Sequence, residues 1–259
     1  QVTKWLKADL SMQYAKSNND QPFKGDVGPL IGLMLWPQTD NAEDYLTPAG
    51  NRRRLTNLAA TGEVDNPYFN IAKNKKNDVN SRLIANLSLT LTPVSWAAIK
   101  TTVGQDAYTN ENLIVRNPES AYGNTFNGVL DLATDVTRST NAQTIVTFNT
   151  YKFSENLSLN GLVGNQINDY RSQTNAIKGQ DFLDPNFISV NNTNLRTSRT
   201  TLSQRRLIGV YASATLNYHD YLFLTVNGRN DWTSTIPTER NSFFYPSIAG
   251  SFVISDAIS

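Results

Sequence analysis

Alternation of apolar and polar residues over about ten positions, repeated along the chain, limits how this sequence can fold more than any other feature. Between residues 6 and 14, every second residue is apolar and the residues between them are polar or charged. Successive side chains of a β-strand point to opposite faces of a sheet, so this pattern predicts a strand with one apolar and one polar face. Similar runs occur at residues 83–91, 157–163, 208–218 and 222–229.

The length of these runs separates two all-β architectures. A tilted strand needs about 9–11 residues to cross a bilayer, whereas strands of soluble domains are typically about five or six residues long. The longer runs here favour the first architecture. No stretch approaches the roughly 18–20 apolar residues of a membrane helix. If the chain spans a membrane, it has to do so as an antiparallel up-and-down β-barrel.

The order of strands and connections agrees with such a barrel. We predict strands at residues 2–16, 80–91, 95–109, 140–152, 157–171, 203–218, 221–234 and 242–254, with a further short strand at 128–137 inside its loop. Tight turns near residues 92–93, 154–156 and 219–220 alternate with longer polar segments. Transmembrane barrels have short turns on the periplasmic side and long loops outside the cell.

The sequence contains no recognisable catalytic or metal-binding group of residues. It has no cysteine, and its single histidine, His219, falls in a predicted turn. A histidine triad or a zinc site needs partners at set spacings, so we predict no enzyme, no metal and no cofactor. The net charge is +1 without a recurring basic face, which argues against a nucleic-acid partner. We interpret Arg52-Arg53-Arg54 as a solvated loop cluster.

Three motifs between residues 216 and 252 resemble the SusC/RagA family of TonB-linked outer-membrane proteins. They are a Tyr-ended hairpin, Leu216-Asn217-Tyr218-His219-Asp220-Tyr221-Leu222; a Gly-Arg-x-Asp stretch, Asn227-Gly228-Arg229-Asn230-Asp231-Trp232-Thr233-Ser234; and a Phe-Pro-Ser stretch that reads Tyr245-Pro246-Ser247 here and ends at Phe252. Tyr245 replaces the usual Phe, Thr233 a Ser, and Phe252 the usual Trp. Upstream, Asp65-Asn66-Pro67-Tyr68-Phe69 resembles a family loop that precedes a barrel strand.

The resemblance implies an outer-membrane barrel of about 22 strands with an N-terminal plug. It also implies active import of oligosaccharides or peptides. The energy would come from the TonB-ExbB-ExbD complex acting through the plug region, and a SusD-like surface lipoprotein would cover the mouth. We expect residues 1–259 to be part of the barrel domain, because about eight strands form only part of such a wall. No plug, TonB box or signal peptide is visible in the chain.

Two other functions remain open from the sequence. One is a passive porin-like or assembly barrel in the outer membrane, which a plug and TonB box upstream would exclude. The other is a soluble β-sandwich that binds glycans, which would have shorter strands and dissolve without detergent.

Candidate site residues fall into two groups. The first consists of aromatic rings in predicted extracellular loops rich in Asn and Asp, and we predict that they contact ligand: Trp36, Tyr45, Tyr68, Phe69, Tyr122 and Phe126. Rings can stack on sugar faces while amides bond hydroxyls; the alternative is packing within the loops or against the lipoprotein. The second group is structural. We expect Arg229 and Asp231 to pair with neighbouring strands and hold the register of the wall, next to the motif of Tyr245, Pro246 and Ser247.

Overall fold

A computed structural model describes residues 5–54 and 63–255 of the chain. Eight strands form one antiparallel sheet in which each strand pairs with its neighbours in sequence. They are β1 (Leu6–Asp20), β2 (Lys75–Val94), β3 (Ala97–Arg116), β4 (Val129–Ser154), β5 (Leu157–Phe182), β6 (Thr193–Tyr218), β7 (Leu222–Thr233) and β8 (Ser242–Phe252). This meander confirms the predicted all-β, up-and-down fold. Among the described residues β1 and β8 do not pair with each other, so the sheet is open.

Several strands are longer than the alternation predicts. β4, β5 and β6 each have 26 residues, and the short strand predicted at 128–137 is the first half of β4. Roughly 9–11 residues suffice to cross a bilayer, so more than half of each long strand extends beyond it. There Thr, Asn, Gln and Arg replace many of the apolar residues, and the apolar alternation that marks a strand disappears. Residues 2–4, predicted to begin the first strand, lie outside the described part of the chain.

Cross-strand register places the apolar residues on one face. One row across the sheet contains Leu91, Ile99, Val146, Val163 and Ala212, each paired with the next. Because side chains alternate along every strand, the rows two residues above and below lie on the same face. Together they form a continuous apolar band, which we define as the apolar face of the sheet.

A polar row marks the upper edge of this band. Gln105, Thr140, Asp169 and Arg206 follow one another across β3 to β6, and Arg206 forms an ion pair with Asp169 at 2.6 Å. Above this row polar side chains form hydrogen bonds between strands. For example, Thr200 of β6 donates to Asn175 of β5 at 3.0 Å. An ion pair suits water or headgroups rather than hydrocarbon, so this row ends the part of the sheet that is suited to a membrane interior.

The opposite end of the sheet carries the tight turns and a cluster of aromatic rings. His219 and Asp220 have φ angles of 53° and 56°, the left-handed pair that a two-residue hairpin turn requires. Around this turn the ring of Tyr221 lies 6.0 Å from that of Tyr218 and 5.6 Å from that of Phe252. At the β2–β3 turn, Trp96 stacks on a ring of β4. Such rings at strand ends are typical of the interfacial belt of a membrane barrel.

The long connections all lie at the other end of the sheet, as predicted, and the most deeply buried side chains lie in them or at the adjoining strand ends. They comprise residues 21–74, 117–128, 183–192 and 234–241. The first contains two helices, α1 (Pro29–Leu35) and α2 (Pro67–Lys73), and short 3₁₀ turns occur in each connection. The largest fully buried side chains of the described residues are at this end: Phe69, Leu130, Asn66, Thr193 and Ser120.

Neither helix of the described chain, nor any 3₁₀ turn, is long and apolar enough to span a membrane.

The assignment of faces can be tested with an arginine placed on either side of β4. Val146→Arg puts a charge in the middle of the apolar face and should destabilise the membrane-inserted protein by about 2–4 kcal/mol. Thr147→Arg puts the same side chain on the opposite face and should change stability little. Urea unfolding in lipid vesicles measures both. Equal destabilisation by the two variants would contradict the assignment.

Candidate functional site

The candidate site is the group of connections that folds over the upper ends of the strands. We call it the loop cap and define it as residues 21–54, 63–74, 117–128 and 183–192. Its buried interior is mostly polar, since Asp65, Asn66, Asn70, Asn74 and Ser120 are all at most 6% exposed. Buried polar groups have to be hydrogen-bonded, so the loop cap is held by a specific network rather than by an apolar core.

Helix α2 forms where the sequence supplies both of its start signals. The side chain of Asn66 accepts hydrogen bonds from the backbone N–H groups of Tyr68 and Phe69 at 2.8 and 3.2 Å. Pro67 occupies the first turn, where its missing N–H has no consequence. The amide of Asn66 also donates to the carbonyl of Ala42 at 2.8 Å, so the helix start is fixed to the preceding loop.

Asp65, immediately before this helix, is the hub of the network. One carboxylate oxygen accepts from the hydroxyl of Ser120 at 2.5 Å and from the amides of Asn70 and Asn74 at 3.3 and 3.2 Å. The other accepts from the backbone N–H of Ala121 at 2.7 Å. The 21–74 and 117–128 connections are therefore joined through one buried carboxylate.

Arg52 supplies the positive charge of the network. Its side chain is 2% exposed and forms ion pairs with Glu63 at 2.5 Å and with Asp65 at 3.2 Å. It also donates to the carbonyl of Glu119 at 2.5 Å, and its guanidinium lies 5.9 Å from the ring centre of Phe69. Breaking a buried ion pair leaves an uncompensated charge, which costs about 3–5 kcal/mol.

These contacts correct the interpretation of Arg52-Arg53-Arg54 as a solvated cluster. Only Arg54, with a side chain 42% exposed, fits it. Arg52 is buried because it pairs with Glu63 and Asp65 and bonds Glu119 of another connection. A reading of adjacent charges does not detect these partners.

Arg53 organises a second, more exposed part of the loop cap. It forms an ion pair with Asp40 at 2.5 Å, and Asp40 in turn accepts from the indole N–H of Trp36 at 2.9 Å. The hydrogen bonds from Arg53 hold the pKa of Asp40 below its ordinary value of 3.8, with Trp36 acting in the same direction. The carboxylate of Asp40, itself held by Arg53, therefore positions the Trp36 ring.

The predicted ligand-contacting rings all lie in the loop cap, but their exposure differs. Phe69 has 0% exposure, so in this structure its ring packs inside the loop cap and has no surface to offer a ligand. Tyr68 and Phe126 are 43% and 52% exposed. Trp36, Tyr45 and Tyr122 are half-buried, and no two of these six rings are in contact in the described structure.

Two more of these rings have identifiable anchors. The hydroxyl of Tyr122 donates to the carbonyl of Asp26 at 2.7 Å, and burial raises its pKa above the ordinary value. Lys178 lies 5.6 Å from the ring centre of Phe126. Both rings are thus held in place by contacts from other segments of the chain.

On the polar face of the sheet, the Gly-Arg-x-Asp motif forms a packed cluster. Arg229 forms an ion pair with Asp231 of its own strand at 2.9 Å and lies 5.6 Å from the ring centre of Tyr211 on β6. A Cβ at Gly164 would lie 2.5 Å from the Tyr211 ring, so the ring needs glycine there. The hydroxyl of Tyr211 accepts from Gln143 at 2.8 Å. The cluster thus connects β4 to β7.

The Tyr-Pro-Ser motif lies opposite this cluster on β8. Tyr245, Pro246 and Ser247 pair with Arg229, Gly228 and Asn227 of β7, and the amide of Asn227 donates to the hydroxyl of Ser247 at 3.1 Å.

Sequence reasoning did not identify the network around Asp65. The signals present were the Asn66-Pro67 helix start and an unusual number of Asn and Asp residues between 63 and 74. Their partners at 117–121 belong to another connection, so only the antiparallel pairing of β2 with β3 brings the two segments together. No group of three His, Asp or Glu residues in the described chain is arranged to hold a metal ion.

Removing the hub should loosen the loop cap without unfolding the sheet. Asp65→Ala leaves Arg52 buried without one of its partners and should lower the local stability by about 3–5 kcal/mol. Hydrogen exchange should become faster at residues 63–74 and 117–121 and stay unchanged in the lower strands. Glu43→Ala, an exposed loop carboxylate, is the control. Unchanged protection in Asp65→Ala would refute the role of the hub.

Acid should release Trp36. Because the folded-state pKa of Asp40 lies below 3.8, its stabilising contribution is complete above pH 3.8 and is lost as the pH falls through the folded-state pKa. The indole N–H signal of Trp36 in NMR spectra should therefore shift below pH 3.8. In Asp40→Asn this transition should be absent; its persistence would show that another group is responsible.

The cluster on the polar face should stabilise the wall. Arg229→Ala removes an ion pair and a cation–π contact and should lower stability by about 1 kcal/mol, seen as a lower melting temperature in detergent. Arg199→Ala, an exposed arginine on β6 without a side-chain partner in the described structure, should leave the melting temperature unchanged. Ligand preference should be the same in both variants, and an unchanged melting temperature for Arg229→Ala would contradict this role.

Comparisons with solved structures identify relatives of this fold. The RagAB peptide transporter aligns with a TM-score of 0.77 and 15% sequence identity, over 100% of this chain and 29% of that chain. The RagAB peptide importer in the 'open-open' and 'closed-closed' states aligns with TM-scores of 0.72 and 0.73 at 15% identity, over 97% of this chain and 28% of those chains. At this identity the alignments show a shared fold.

Among curated protein sequences there is no significant match. The chain spans less than a third of the transporter chains it aligns with.

A family description, by contrast, covers almost the whole chain. The family of TonB dependent receptor-like β-barrels matches residues 17–259, which include the loop cap, the last four residues of β1 and all of β2 to β8. This match and the RagAB alignments confirm the resemblance of the C-terminal motifs to SusC/RagA proteins. The family implies a place in the outer membrane, in agreement with the apolar face and the aromatic strand ends. The chain belongs to the TonB-dependent receptor β-barrel family.

Proposed function

We propose that this chain forms part of the wall and mouth of an outer-membrane TonB-dependent importer that crosses the membrane many times. The observation that carries the proposal is the combination of the family match over residues 17–259 with a loop cap held by a buried ionic network. A rigid cap at the mouth suits capture of a solute before transport. In this function the chain catalyses no reaction, because import moves the solute without forming or breaking a covalent bond.

The solute class that we propose is an oligosaccharide or a peptide. Exposed rings on a fixed support, such as Tyr68 on α2 and Phe126 beside Lys178, can stack on a sugar face or pack against a peptide side chain. Asn and Asp side chains around them can bond hydroxyls or backbone amides. The aligned RagAB structures are described as peptide transporters and importers, which supports a peptide.

The partners that we propose are a SusD-like surface lipoprotein and the TonB-ExbB-ExbD complex. RagAB is described in open and closed states, which agrees with a partner that moves over the mouth. Residues 1–259 would belong to the barrel domain, and contact with TonB would be made by a plug region. Trp36, Tyr45, Tyr122 and the exposed rings named above are proposed to contact the ligand, with Phe69 as their buried support.

Energy dependence distinguishes this proposal from a passive pore. Uptake of labelled peptides or oligosaccharides by intact cells should require both this protein and TonB, and it should stop when the proton motive force is dissipated. Uptake that continues without TonB would indicate a porin-like barrel. A protein that stays soluble without detergent would point to a binding module instead.

The ligand-contact proposal can be tested at α2 and at the 117–128 connection. Tyr68→Ala and Phe126→Ala should each weaken binding of the transported solute by about 5- to 30-fold, as expected for loss of about 1–2 kcal/mol at an aromatic contact. Trp232→Ala, which removes a ring from the apolar face, is the control. Equal affinities in all three variants would reject a role of these rings in binding.

A further inference from the structure

The apolar face contains a groove in its lower half, close to the tight turns. It has a volume of about 590 Å³ and crosses from β4 to β8. This volume falls in the range of roughly 300–1,000 Å³ that is typical of small-molecule sites. The main lining residues are Phe148, Tyr151, Gly161, Ala214, Gly228 and Phe244.

Small residues form the floor of the groove. Gly161 of β5 pairs with Ala214 of β6, and Ala214 pairs with Val226 of β7. One row higher, Ala212 pairs with Gly228. Alanine and glycine at these positions leave a depression in the sheet surface over three neighbouring strands. A lipid-facing wall usually carries large apolar side chains at such positions.

Aromatic rings form the sides. Phe244 of β8 is 65% exposed. Its ring lies beside Gly228, where an added Cβ would be 3.5 Å from the ring. On the other side Phe148 stacks against Trp96 with ring centres 6.3 Å apart. Between Phe148 and Tyr151 the register of β4 against β5 shifts by a bulge. A bulge re-aims the side chains that follow it, and Tyr151 is 65% exposed.

The position of the groove determines what can fill it. Its lining is apolar and it lies within the apolar band, so it is surrounded by hydrocarbon when the protein is in a membrane. Its lower end reaches the ring of Tyr151, and Trp96 lies beside it, stacked on Phe148. Such rings belong at the headgroup level. A molecule that fits has an apolar chain that extends into the bilayer and a polar end beside these rings.

We propose that this groove is a binding site for one acyl chain of a phospholipid from the leaflet next to the tight turns. The chain lies over Gly161, Ala214 and Gly228, between Phe148 and Phe244, and its glycerol end is next to Tyr151. The site requires that the strands cross a membrane, but it does not depend on import of a solute. A lipid held there fills a space that the sheet leaves open.

Photolabelling of the native protein can detect this site. The protein, extracted from outer membranes and reconstituted in vesicles, is labelled with a phosphatidylethanolamine that carries a diazirine in one acyl chain, and labelled peptides are mapped by mass spectrometry. Labelling should be concentrated on the peptides that contain Phe148 and Phe244. Even labelling of the whole apolar face would mean ordinary surrounding lipid and would overturn the proposal.

Filling the groove should remove the label. Ala214→Phe projects a ring over the floor and should reduce labelling of the Phe148 peptide by about fivefold. Ala142→Phe is the matched control, because Ala142 is on the same face in the row of Val103 and Ile167 but outside the groove. Equal labelling in both variants would contradict the site.

Two further readouts keep the test decisive. If Ala214→Phe does not insert, the distribution of label in the unsubstituted protein still decides between a site and surrounding lipid. Native mass spectrometry of the unsubstituted protein should show a retained phospholipid. If residues of the groove instead cross-link to a second copy of the chain and no lipid is retained, the groove is a protein–protein contact and the proposal is refuted.

Discussion

A backbone surrounded by hydrocarbon has no water to bond with, and this constraint determines the rest of the structure. Every N–H and C=O in the apolar band needs a partner on a neighbouring strand, so the chain runs up and down in one continuous antiparallel ladder. Such a wall is one layer thick and has no interior of its own. Its side chains lie on the apolar face, towards lipid, or on the polar face of the sheet. Packing between connections therefore has to occur beyond the membrane.

The loop cap is built there, and its chemistry follows from its position. The described connections bury few large apolar side chains, and the loop cap is instead organised around Asp65 and Arg52. A buried ion pair contributes little net stability, but removing one of its partners is costly because the other charge is left buried and uncompensated. The exposed rings are therefore attached to a support with few alternative conformations, as a binding surface requires.

Sequence alone predicted the order and faces of the strands because lipid on one side imposes alternation. It indicated a separate short strand at 128–137, where the structure has the first part of β4. It predicted strand ends poorly, since β4 to β6 continue into water, where Thr, Asn and Arg replace the apolar residues. It placed Arg52 and Phe69 at the surface because their partners come from distant segments. The role of Arg229 was expected to involve neighbouring strands; its ion partner is on its own strand, and its neighbour contact is the ring of Tyr211.

The length of the central strands has a consequence for access. About 15 residues of a 26-residue strand lie beyond the stretch that crosses the bilayer, which at about 3.3 Å per residue amounts to roughly 50 Å measured along the strand. The connections that join these long strands are thus raised well above the apolar face. A large macromolecule can approach them from the side without touching lipid headgroups.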